Sequence, residues 1–185
     1  MNIGNFLFRC LYFFLPAYIT NMSANLSRKI RFLKFLGVPV DFEKKIKGAP
    51  IFGTHKTWRG VIAGIIMGIF TTYFQRWLYK FSFIQNNSLV PYDKINIFIF
   101  GFLISFGAIF GDLLFAFLKR RRKIPPGAPW IPFDQTNYVI GAFLILLPYL
   151  GIDIIYWVTI LLLTLFLHLL FNYLGYCLGL SRAKL

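Results

Sequence analysis

The sequence predicts an all-α, polytopic integral membrane protein, a single bundle of about five transmembrane helices over residues 1–185. Two observations support this prediction. Of the 185 residues, 58% are hydrophobic and only 14% are charged, whereas soluble domains carry about a quarter charged residues. Apolar runs of about 20 residues alternate with basic segments, and at ~1.5 Å per residue such a run crosses a ~30 Å hydrocarbon core. We expect one domain and no second one.

The charge balance is strongly positive, with 20 Lys and Arg against 6 Asp and Glu and a net charge of +14. A nucleic-acid-binding protein could share this excess. Here the cations cluster between apolar runs, so basic cytoplasmic loops and anionic membrane lipids account for them better. We therefore expect membrane lipids and no nucleic acid among the partners. Cys10 and Cys177 lie in apolar segments without metal-ligand spacing and are expected to be buried thiols.

The first predicted span covers about residues 6–26 and is expected to remain as a transmembrane helix, because no signal-peptide cleavage site follows it cleanly. Its polar residues should face protein or water, since polar groups cost free energy in lipid. Asn21 lies deepest and is the better site candidate, whereas the polar residues after it could mark a helix end at the interface. The following loop, residues 27–57, is strongly basic, and its part over 28–36 predicts a short helix on the cytoplasmic leaflet.

Two small-residue faces predict a close contact between the second and third spans, residues 58–78 and 95–118. In the second span the small residues recur every four positions, at Gly60, Gly64 and Gly68. In the third span one helical face carries Gly101, Ser105, Ala108 and Asp112. Small side chains let helix backbones approach closely. We expect the two faces to meet, with Asp112 at the cytoplasmic end of the contact.

Two further spans are predicted over residues 133–150 and 154–174, after a basic loop over 119–132. The span over 133–150 is short, and the span over 154–174 is rich in Leu, Ile and Phe and should face lipid. Within it, His168 and Asn172 lie four residues apart. We expect them to form a packed or interfacial pair rather than a catalytic one.

Orientation is predicted from the distribution of cations. Loops 27–57 and 119–132 are heavily basic, whereas the connections over 80–94 and 149–153 are not. Arg182 and Lys184 add cations to the C-terminal tail. With five spans, these charges place the N-terminus outside, the C-terminus in the cytoplasm and both basic loops on the cytoplasmic face.

A phosphate-binding segment is predicted at the start of the second span. Helix N-termini present unpaired N–H groups and a partial positive charge. Lys56, Arg59 and the hydroxyl of Thr57 lie beside this helix start, which suits an anion. The alternative is an ordinary helix cap with cations that extend to lipid headgroups.

Asp112 and Asp134 supply the negative charge on the same face, and an ionisable group inside a span indicates a functional site. A carboxylate beside phosphates requires a cation between them, and Mg²⁺ prefers carboxylate and phosphate oxygens. The alternative is a salt bridge from Asp112 to Lys119 or Arg120. Together the residues predict a cytosol-facing site for a polyphosphate and a metal. A nucleotide and a lipid phosphate are the natural reactants.

An ordered set of motifs carries a resemblance to a known family. The segments are Pro16-Ala17-Tyr18 with Asn21, Pro39-Val40-Asp41-Phe42, Pro50-Ile51-Phe52-Gly53, Lys56-Thr57-Trp58-Arg59-Gly60, Gly111-Asp112-Leu113, Lys119-Arg120-Arg121, Pro126-Gly127-Ala128-Pro129-Trp130 and Asp134-Gln135. In these the chain resembles the CDP-archaeol synthase family, relatives of the phosphatidate cytidylyltransferases. The likeness extends from the first span through the fourth.

The resemblance implies a five-helix membrane enzyme that transfers CMP from CTP to a lipid phosphate, releases pyrophosphate and requires Mg²⁺. It also implies a nucleotide–metal site lined by Asn21, Lys56, Thr57, Asp112, Lys119, Arg120 and Asp134. Two positions depart from the family pattern. Ala116 stands where the family usually has Ser, and Asn137 stands where it usually has a second Asp.

The resulting interpretation is a CTP-dependent cytidylyltransferase of the plasma membrane that makes a CDP-lipid from an archaeal ether lipid phosphate, such as 2,3-bis-O-geranylgeranylglycerol 1-phosphate, or from phosphatidate. The predicted catalytic residues are Lys56, Asp112, Lys119 and Asp134, with Mg²⁺ on Asp112 and Asp134. The predicted substrate-binding residues are Asn21, Thr57, Arg59, Arg120 and Arg121. The alternatives are a non-catalytic lipid-binding scaffold derived from this family, a small transporter, and a CDP-alcohol phosphotransferase, whose D-G-x-x-A-R signature is absent.

Overall fold

The computed structural model describes residues 2–125 and 128–177, an assembly of helices with one small hairpin. Its α-helices are α1 Ile3–Leu26, α2 Trp58–Leu78, α3 Ser82–Asn86, α4 Ile97–Arg121, α5 Phe133–Leu146 and α6 Ile154–Cys177. The strands are β1 Lys45–Ile46 and β2 Ala49–Pro50, which pair antiparallel. Four residues used in the sequence analysis lie outside the described residues. They are Arg182 and Lys184, which supported the orientation, and Pro126 and Gly127, which belong to the motif set.

The predicted class, a helical membrane bundle, is confirmed. Within the described residues, four segments are long and apolar enough to cross a membrane: Ile3–Lys29, Trp58–Leu78, Ile97–Arg121 and Ile154–Leu174. The fourth predicted span is shorter than the range 133–150, because α5 has only 14 residues. At ~1.5 Å per residue α5 measures about 21 Å, less than a ~30 Å hydrocarbon core.

The ends of α1 and α4 differ from the predicted boundaries. The Asn2 side chain caps α1 by accepting a hydrogen bond from Gly4 N at 3.0 Å, so the helix begins at Ile3 rather than near residue 6. Helix α4 continues through Arg121, so the first cations assigned to the loop over 119–132 are helical. Cations are favoured in a last helical turn, where they face the negative end of the helix dipole.

The predicted contact between α2 and α4 is confirmed, and α1 joins it. A Cβ atom built on Gly68 would collide with the side chains of Ser105 on α4 and Thr20 on α1. A Cβ on Gly64 would lie 3.0 Å from the carbonyl oxygen of Thr20. The glycine face of α2 therefore packs into the angle between α1 and α4, where larger side chains would separate the helices.

A second close contact, which the sequence argument did not identify, joins α4 and α5. A Cβ on Gly111 would collide with the backbone carbonyl of Asn137, and a Cβ on Gly141 would collide with the backbone of Gly107. These glycines bring the two backbones together without intervening side chains. The contact places the residue after Gly111, Asp112, beside the first two turns of α5.

The basic loop between α1 and α2 is more irregular than predicted. In place of a short helix over 28–36 it forms two 3-10 turns, Ser27–Lys29 and Arg31–Leu36. Ile30 is extended, with ψ 108°, and this breaks the helical hydrogen-bonding pattern. The loop then forms the β1–β2 hairpin and returns to α2, where Trp58 N donates to the Val38 carbonyl at 3.0 Å.

Aromatic side chains fill the bundle interior away from this loop. Phe13, Phe100 and Tyr92 are fully buried. The Phe13 and Trp157 rings meet edge to face at a centroid distance of 5.6 Å, a favoured arrangement of aromatic pairs. The opposite end of the bundle, between the basic loop and the ends of α1, α4 and α5, is the polar one.

Candidate active site

A polar cavity of about 310 Å³ opens at the end of the bundle where the two basic segments meet. It is lined by α1, α4, α5, α6 and the loop before α2. Its lining residues are Asn21, Asn25, Phe52, Gly53, His55, Lys56, Asp112, Ala116, Lys119, Arg120, Ala128, Pro129, Asp134, Asn137 and His168. Six of the nine predicted site residues are therefore in one place.

Helix α4 supplies one wall of the cavity through a single helical face. Asp112, Ala116, Lys119 and Arg120 follow one another at spacings of four, three and one residues. At 3.6 residues per turn these positions share a face. The helix therefore presents a carboxylate first and two cations about two turns later.

Lys56 and Asp112 form an ion pair across the cavity wall. Lys56 Nζ donates to both carboxylate oxygens of Asp112 at 2.6 Å. The side chains are 27% and 24% exposed, so the pair remains accessible from the cavity. Asn137 Nδ2 lies 3.4 Å from Asp112 Oδ1. The predicted proximity of Asp112 to the segment before α2 is thus confirmed.

A second ion pair joins α4 to the start of α5. Lys119 Nζ lies 2.5 Å from Asp134 Oδ2, and the backbone N–H of Trp130 donates to the same oxygen at 2.8 Å. The alternative salt bridge from Asp112 to Lys119 or Arg120 is not formed among the described residues. Each carboxylate instead pairs with one lysine from a different element.

Arg120 is the least satisfied cation of the cavity. The residue is 7% exposed, and its Nη1 donates to the Ile124 carbonyl at 2.6 Å. Its Nε is buried and has no hydrogen-bond partner within the described part of the chain. A buried donor without a partner costs free energy. Arg120 therefore lines the cavity while one of its donors is buried and unsatisfied.

Asp41 organises the loop that lines the cavity. Its carboxylate accepts hydrogen bonds from Phe52 N at 2.8 Å, Gly53 N at 3.1 Å and Glu43 N at 3.1 Å. Gly53 has φ 101°, which favours glycine. Burial alone would raise the pKa of Asp41, but these three backbone donors outweigh it and hold the pKa below its ordinary value.

Three predicted binding residues lie outside the cavity lining. Thr57 caps α2, with its hydroxyl 3.4 Å from Gly60 N. Arg121 donates to the carbonyl oxygens of Ile46, Ala49 and Pro50, and so ties the hairpin to α4. Arg59, in the first turn of α2, does not line the cavity either.

Sequence reasoning did not assign His55, Asn25 or His168 to the site, although all three line the cavity. His168 carries the clearest signal in retrospect, because it is a polar residue in a helix of otherwise mostly apolar residues. Asp41 also had a signal, since it is one of only six acidic residues in the chain.

The oxygen donors of the cavity suit a hard cation that is shared with a substrate. Asp112 and Asp134 contribute carboxylates, and Asn137 contributes an amide. No group of three His, Cys, Asp or Glu that could hold a metal occurs in residues 2–125 and 128–177. Mg²⁺ commonly takes one or two carboxylates and completes its shell with phosphate oxygens and water. The donor set therefore fits Mg²⁺ with a bound polyphosphate rather than an all-protein metal site.

The fold and the cavity define a class of protein, a multi-pass membrane protein with an ion-paired polar cavity between its helices. Comparison with known proteins narrows the class. The family model described as CarS-like CDP-archaeol synthase matches residues 3–184. The chain belongs to the CDP-archaeol synthase family, whose members are CTP-dependent cytidylyltransferases, and it is an enzyme of that kind.

Individual relatives agree with this assignment. The CDP-archaeol synthase of Methanocaldococcus jannaschii is 38% identical over 179 residues, 95% of each chain. That of Pyrobaculum islandicum is 34% identical over 176 residues, 93% of this chain and 96% of the relative. A solved structure of an intramembrane enzyme for archaeal membrane lipid biosynthesis superimposes with a TM-score of 0.69 at 23% identity. It covers 88% of this chain and 91% of its own, and supports the fold.

Proposed function

We propose that this chain transfers CMP from CTP to the phosphate of an archaeal ether lipid, giving a CDP-lipid and pyrophosphate. The observation that supports it most is the convergence of Asn21, Lys56, Asp112, Lys119, Arg120 and Asp134 on one cavity. Two carboxylates and three cations at one site suit a triphosphate. An ether lipid is favoured over phosphatidate because the relatives are named for archaeol.

In the proposed reaction an oxygen of the lipid phosphate attacks the α-phosphorus of CTP. A P–O bond forms there, and the bond from the α-phosphorus to the oxygen that bridges it to the β-phosphorus breaks. The electron pair leaves with pyrophosphate. The lipid phosphate is already an anion and requires no general base. Catalysis then rests on alignment and on neutralisation of charge.

The residues of α4 divide these tasks. Lys119 and Arg120, both in the cavity lining, would neutralise charge on the departing pyrophosphate. Lys56 is shared between Asp112 and the substrate, because its ammonium has three donors and can turn to a phosphate. Asn21, at the end of α1, lies on the cavity wall and can contact the nucleoside.

Asp112 and Asp134 would hold Mg²⁺, with the amide oxygen of Asn137 in reach of the same cavity. When bound, the ion neutralises charge on the triphosphate and polarises its oxygens. Lys56 and Lys119, which pair with these carboxylates in the structure, would remain beside the site and would be available to the phosphates.

The proposed setting is the plasma membrane, with the N-terminus outside and the cavity facing the cytoplasm. The hydrogen bonds from Arg121 to the hairpin join the two basic segments at one end of the bundle. Basic segments favour the cytoplasmic side. CTP would enter from that side, and the lipid would enter laterally.

The test uses purified protein in detergent with labelled CTP, MgCl₂ and a panel that contains geranylgeranylglycerol phosphate and phosphatidate. We expect labelled CDP-lipid and pyrophosphate, with the ether lipid preferred and EDTA abolishing turnover. Asp112→Asn and Asp134→Asn should each lower the rate by about 10²-fold or more. Asp153→Asn, an exposed acid in the turn before α6, is the matched control and should keep the wild-type rate.

Two results would contradict the proposal. Product formation at the wild-type rate by both cavity variants would remove the metal assignment. A wild-type protein that binds lipid phosphates but yields no product with any of them would favour the non-catalytic lipid-binding role.

A further inference from the structure

A cavity of about 550 Å³ lies at the end of the bundle opposite to the candidate active site. It is bordered by the end of α2, by α3, by the segment over 93–96 and by the start of α4. Helix α2 begins just after Lys56 and has 21 residues, so at ~1.5 Å per residue its two ends are about 31 Å apart. That length matches a ~30 Å hydrocarbon core, so the two cavities lie near opposite membrane interfaces. We refer to this one as the distal cavity.

Four side chains from the end of α2 line one wall of the distal cavity. They are Tyr73, Arg76, Trp77 and Lys80. Their spacings of three, one and three residues share a helix face. The helical hydrogen bonding continues past Leu78, because the backbone N–H of Tyr79 donates to the Gln75 carbonyl at 2.9 Å. Two cations and two aromatic rings are therefore presented side by side.

The two cations of the distal cavity have donors to spare. Nη1 of Arg76 donates to the Tyr92 carbonyl at 2.5 Å, which holds the guanidinium at the cavity wall. A guanidinium has several further N–H donors, and an ammonium has its own. Asp93 lines the same cavity but forms no ion pair with Arg76 or Lys80 in the described part of the chain. The positive charge at this wall is therefore not neutralised by direct contact.

The rim of the distal cavity is aromatic and faces outward. Tyr73, Trp77 and Phe98 line the cavity and are each about half exposed. Tyr and Trp are common where a bilayer meets water, because each joins an apolar ring to a polar group. A phospholipid spans the same two environments, with its chains in hydrocarbon and its headgroup at the interface. The rim therefore fits a lipid better than a soluble anion.

We propose that the distal cavity binds an anionic phospholipid of the leaflet opposite the active site. The phosphodiester binds Arg76 and Lys80, the chains extend over Trp77 and Phe98, and a headgroup hydroxyl donates to Asp93. Charge-assisted hydrogen bonds of this kind are stronger than neutral ones. A single negative charge suits the site, because the Asp93 carboxylate repels a second one. This binding site lies outside the proposed reaction and does not depend on it.

The experiment measures lipid affinity directly. Full-length protein in a neutral detergent is titrated with phosphatidylglycerol, phosphatidylmethanol or phosphatidylcholine of identical chains, and bound lipid is counted by native mass spectrometry. Phosphatidylmethanol has the charge of phosphatidylglycerol without its hydroxyls, and phosphatidylcholine has no net charge. We expect wild type to bind phosphatidylglycerol most tightly and phosphatidylcholine least tightly.

Charge variants test the two cations. Arg76→Gln and Lys80→Gln should each weaken the binding of phosphatidylglycerol about tenfold, the effect of one hydrogen bond to a charged group. Arg76→Lys keeps the charge and should recover part of the loss. The matched control is Lys94→Gln, an exposed cation beside Asp93 that does not line the cavity. It should bind lipid as wild type does, and thermal midpoints should confirm that every variant is folded.

Asp93→Ala tests the hydroxyl contact. This variant should bind phosphatidylglycerol and phosphatidylmethanol with equal affinity, because the acceptor that distinguishes them is gone. An unchanged preference for phosphatidylglycerol would overturn the assignment of Asp93 to the headgroup.

Three further results would overturn the proposal. The first is an affinity for phosphatidylglycerol that Arg76→Gln and Lys80→Gln leave unchanged. The second is an equal loss in Lys94→Gln, because the lipid would then respond to the net charge of this end of the protein. The third is displacement of the lipid by equimolar inorganic phosphate, which would indicate a site for a free anion. None of these measurements uses CTP, so their outcome is separate from whether the protein makes CDP-lipid.

Discussion

Lys56 Nζ lies 2.6 Å from both carboxylate oxygens of Asp112, although the two residues are 56 positions apart in the chain. The contact joins the loop before α2 to the first residue of the cavity-lining face of α4. It therefore links the segment predicted to bind phosphate to the carboxylate predicted to bind metal. Both residues are partly exposed to the cavity, so a ligand can separate them.

Replacement of Lys56 should lower the catalytic activity more than the stability of the fold. We expect Lys56→Ala to lower kcat/KM for CTP by about 10²-fold, because a positioned cation beside the phosphates is lost. Lys56→Arg should be intermediate, since the charge remains but its geometry changes. The control is Lys94→Ala, an exposed lysine before α4. Equal kcat/KM values for wild type and Lys56→Ala would show that the ion pair has no part in turnover.

Arg121 should act on the loop rather than on the substrate. Its guanidinium binds three carbonyl oxygens of the hairpin and stacks over the Phe117 ring at 5.1 Å. We expect Arg121→Ala to release the hairpin and raise the rate of tryptic cleavage after Lys45 or Lys47 about tenfold. Lys123→Ala is the control. An unchanged cleavage rate together with a raised KM for CTP would instead support direct substrate binding by Arg121.

Acid should loosen the same loop through Asp41. Its pKa is lower in the folded protein than in the unfolded chain, so folding favours the carboxylate form. The stabilisation is complete above the unfolded pKa of about 4 and is lost as the pH falls through the folded value. The protection factors of the Phe52 and Gly53 amides, which are corrected for the intrinsic pH dependence of hydrogen exchange, should therefore fall below about pH 4.

Asp41→Asn provides the matched variant for this pH dependence. It should destabilise the loop at pH 7 by about 1–2 kcal/mol, since charge-assisted hydrogen bonds become neutral ones. Its exchange at Phe52 and Gly53 should then vary less with pH than that of wild type. A wild-type loop with the same protection at pH 3 and pH 7 would contradict this account.

The contact between α4 and α5 should tolerate no side chain at Gly111. The Cβ of Gly111→Ala would meet backbone atoms, which cannot move aside as a flexible side chain can. We expect a loss of about 1–3 kcal/mol in stability and a fall in activity, because Asn137 is displaced from Asp112. Gly151→Ala, where a Cβ would find nothing within 4 Å, should be neutral in both measurements.

The site could be located from the sequence because its main residues are unusual for the segments in which they lie. Asp112 is an acid within an apolar run, and Lys56 follows a loop of glycines and prolines. Arg121 was predicted to bind substrate because residues 119–132 were treated as a loop. Residues 119–121 are helical, and the helical period places Arg120, but not Arg121, on the face of Asp112.

Other features depend on contacts between elements, which periodicity does not determine. The sequence did not indicate which helix would contact Gly107, Gly111 and Gly141, because their partners are backbone atoms of another helix. The place of His168 in the cavity lining likewise depends on how α6 is rotated against α1 and α5. The fold class, by contrast, follows from composition and from the length of the apolar runs, which leave a chain few alternatives to spanning a bilayer.

The two lysine–aspartate pairs have a consequence for selectivity. In the cavity each acid is already paired with a lysine, so a lone cation finds no uncompensated carboxylate there, whereas Arg120 has no carboxylate partner among the described residues. A ligand with only negative charge would bind the lysines and leave Asp112 and Asp134 without a partner. A ligand with only positive charge would leave Lys56 and Lys119 without a partner. An unpaired charge costs free energy when the group is partly desolvated. A polyphosphate that arrives with its counterion, as in the proposed reaction, would offer a partner to both members of each pair. We therefore expect the resting site to favour a ligand that carries both charges over a ligand that carries only one of them.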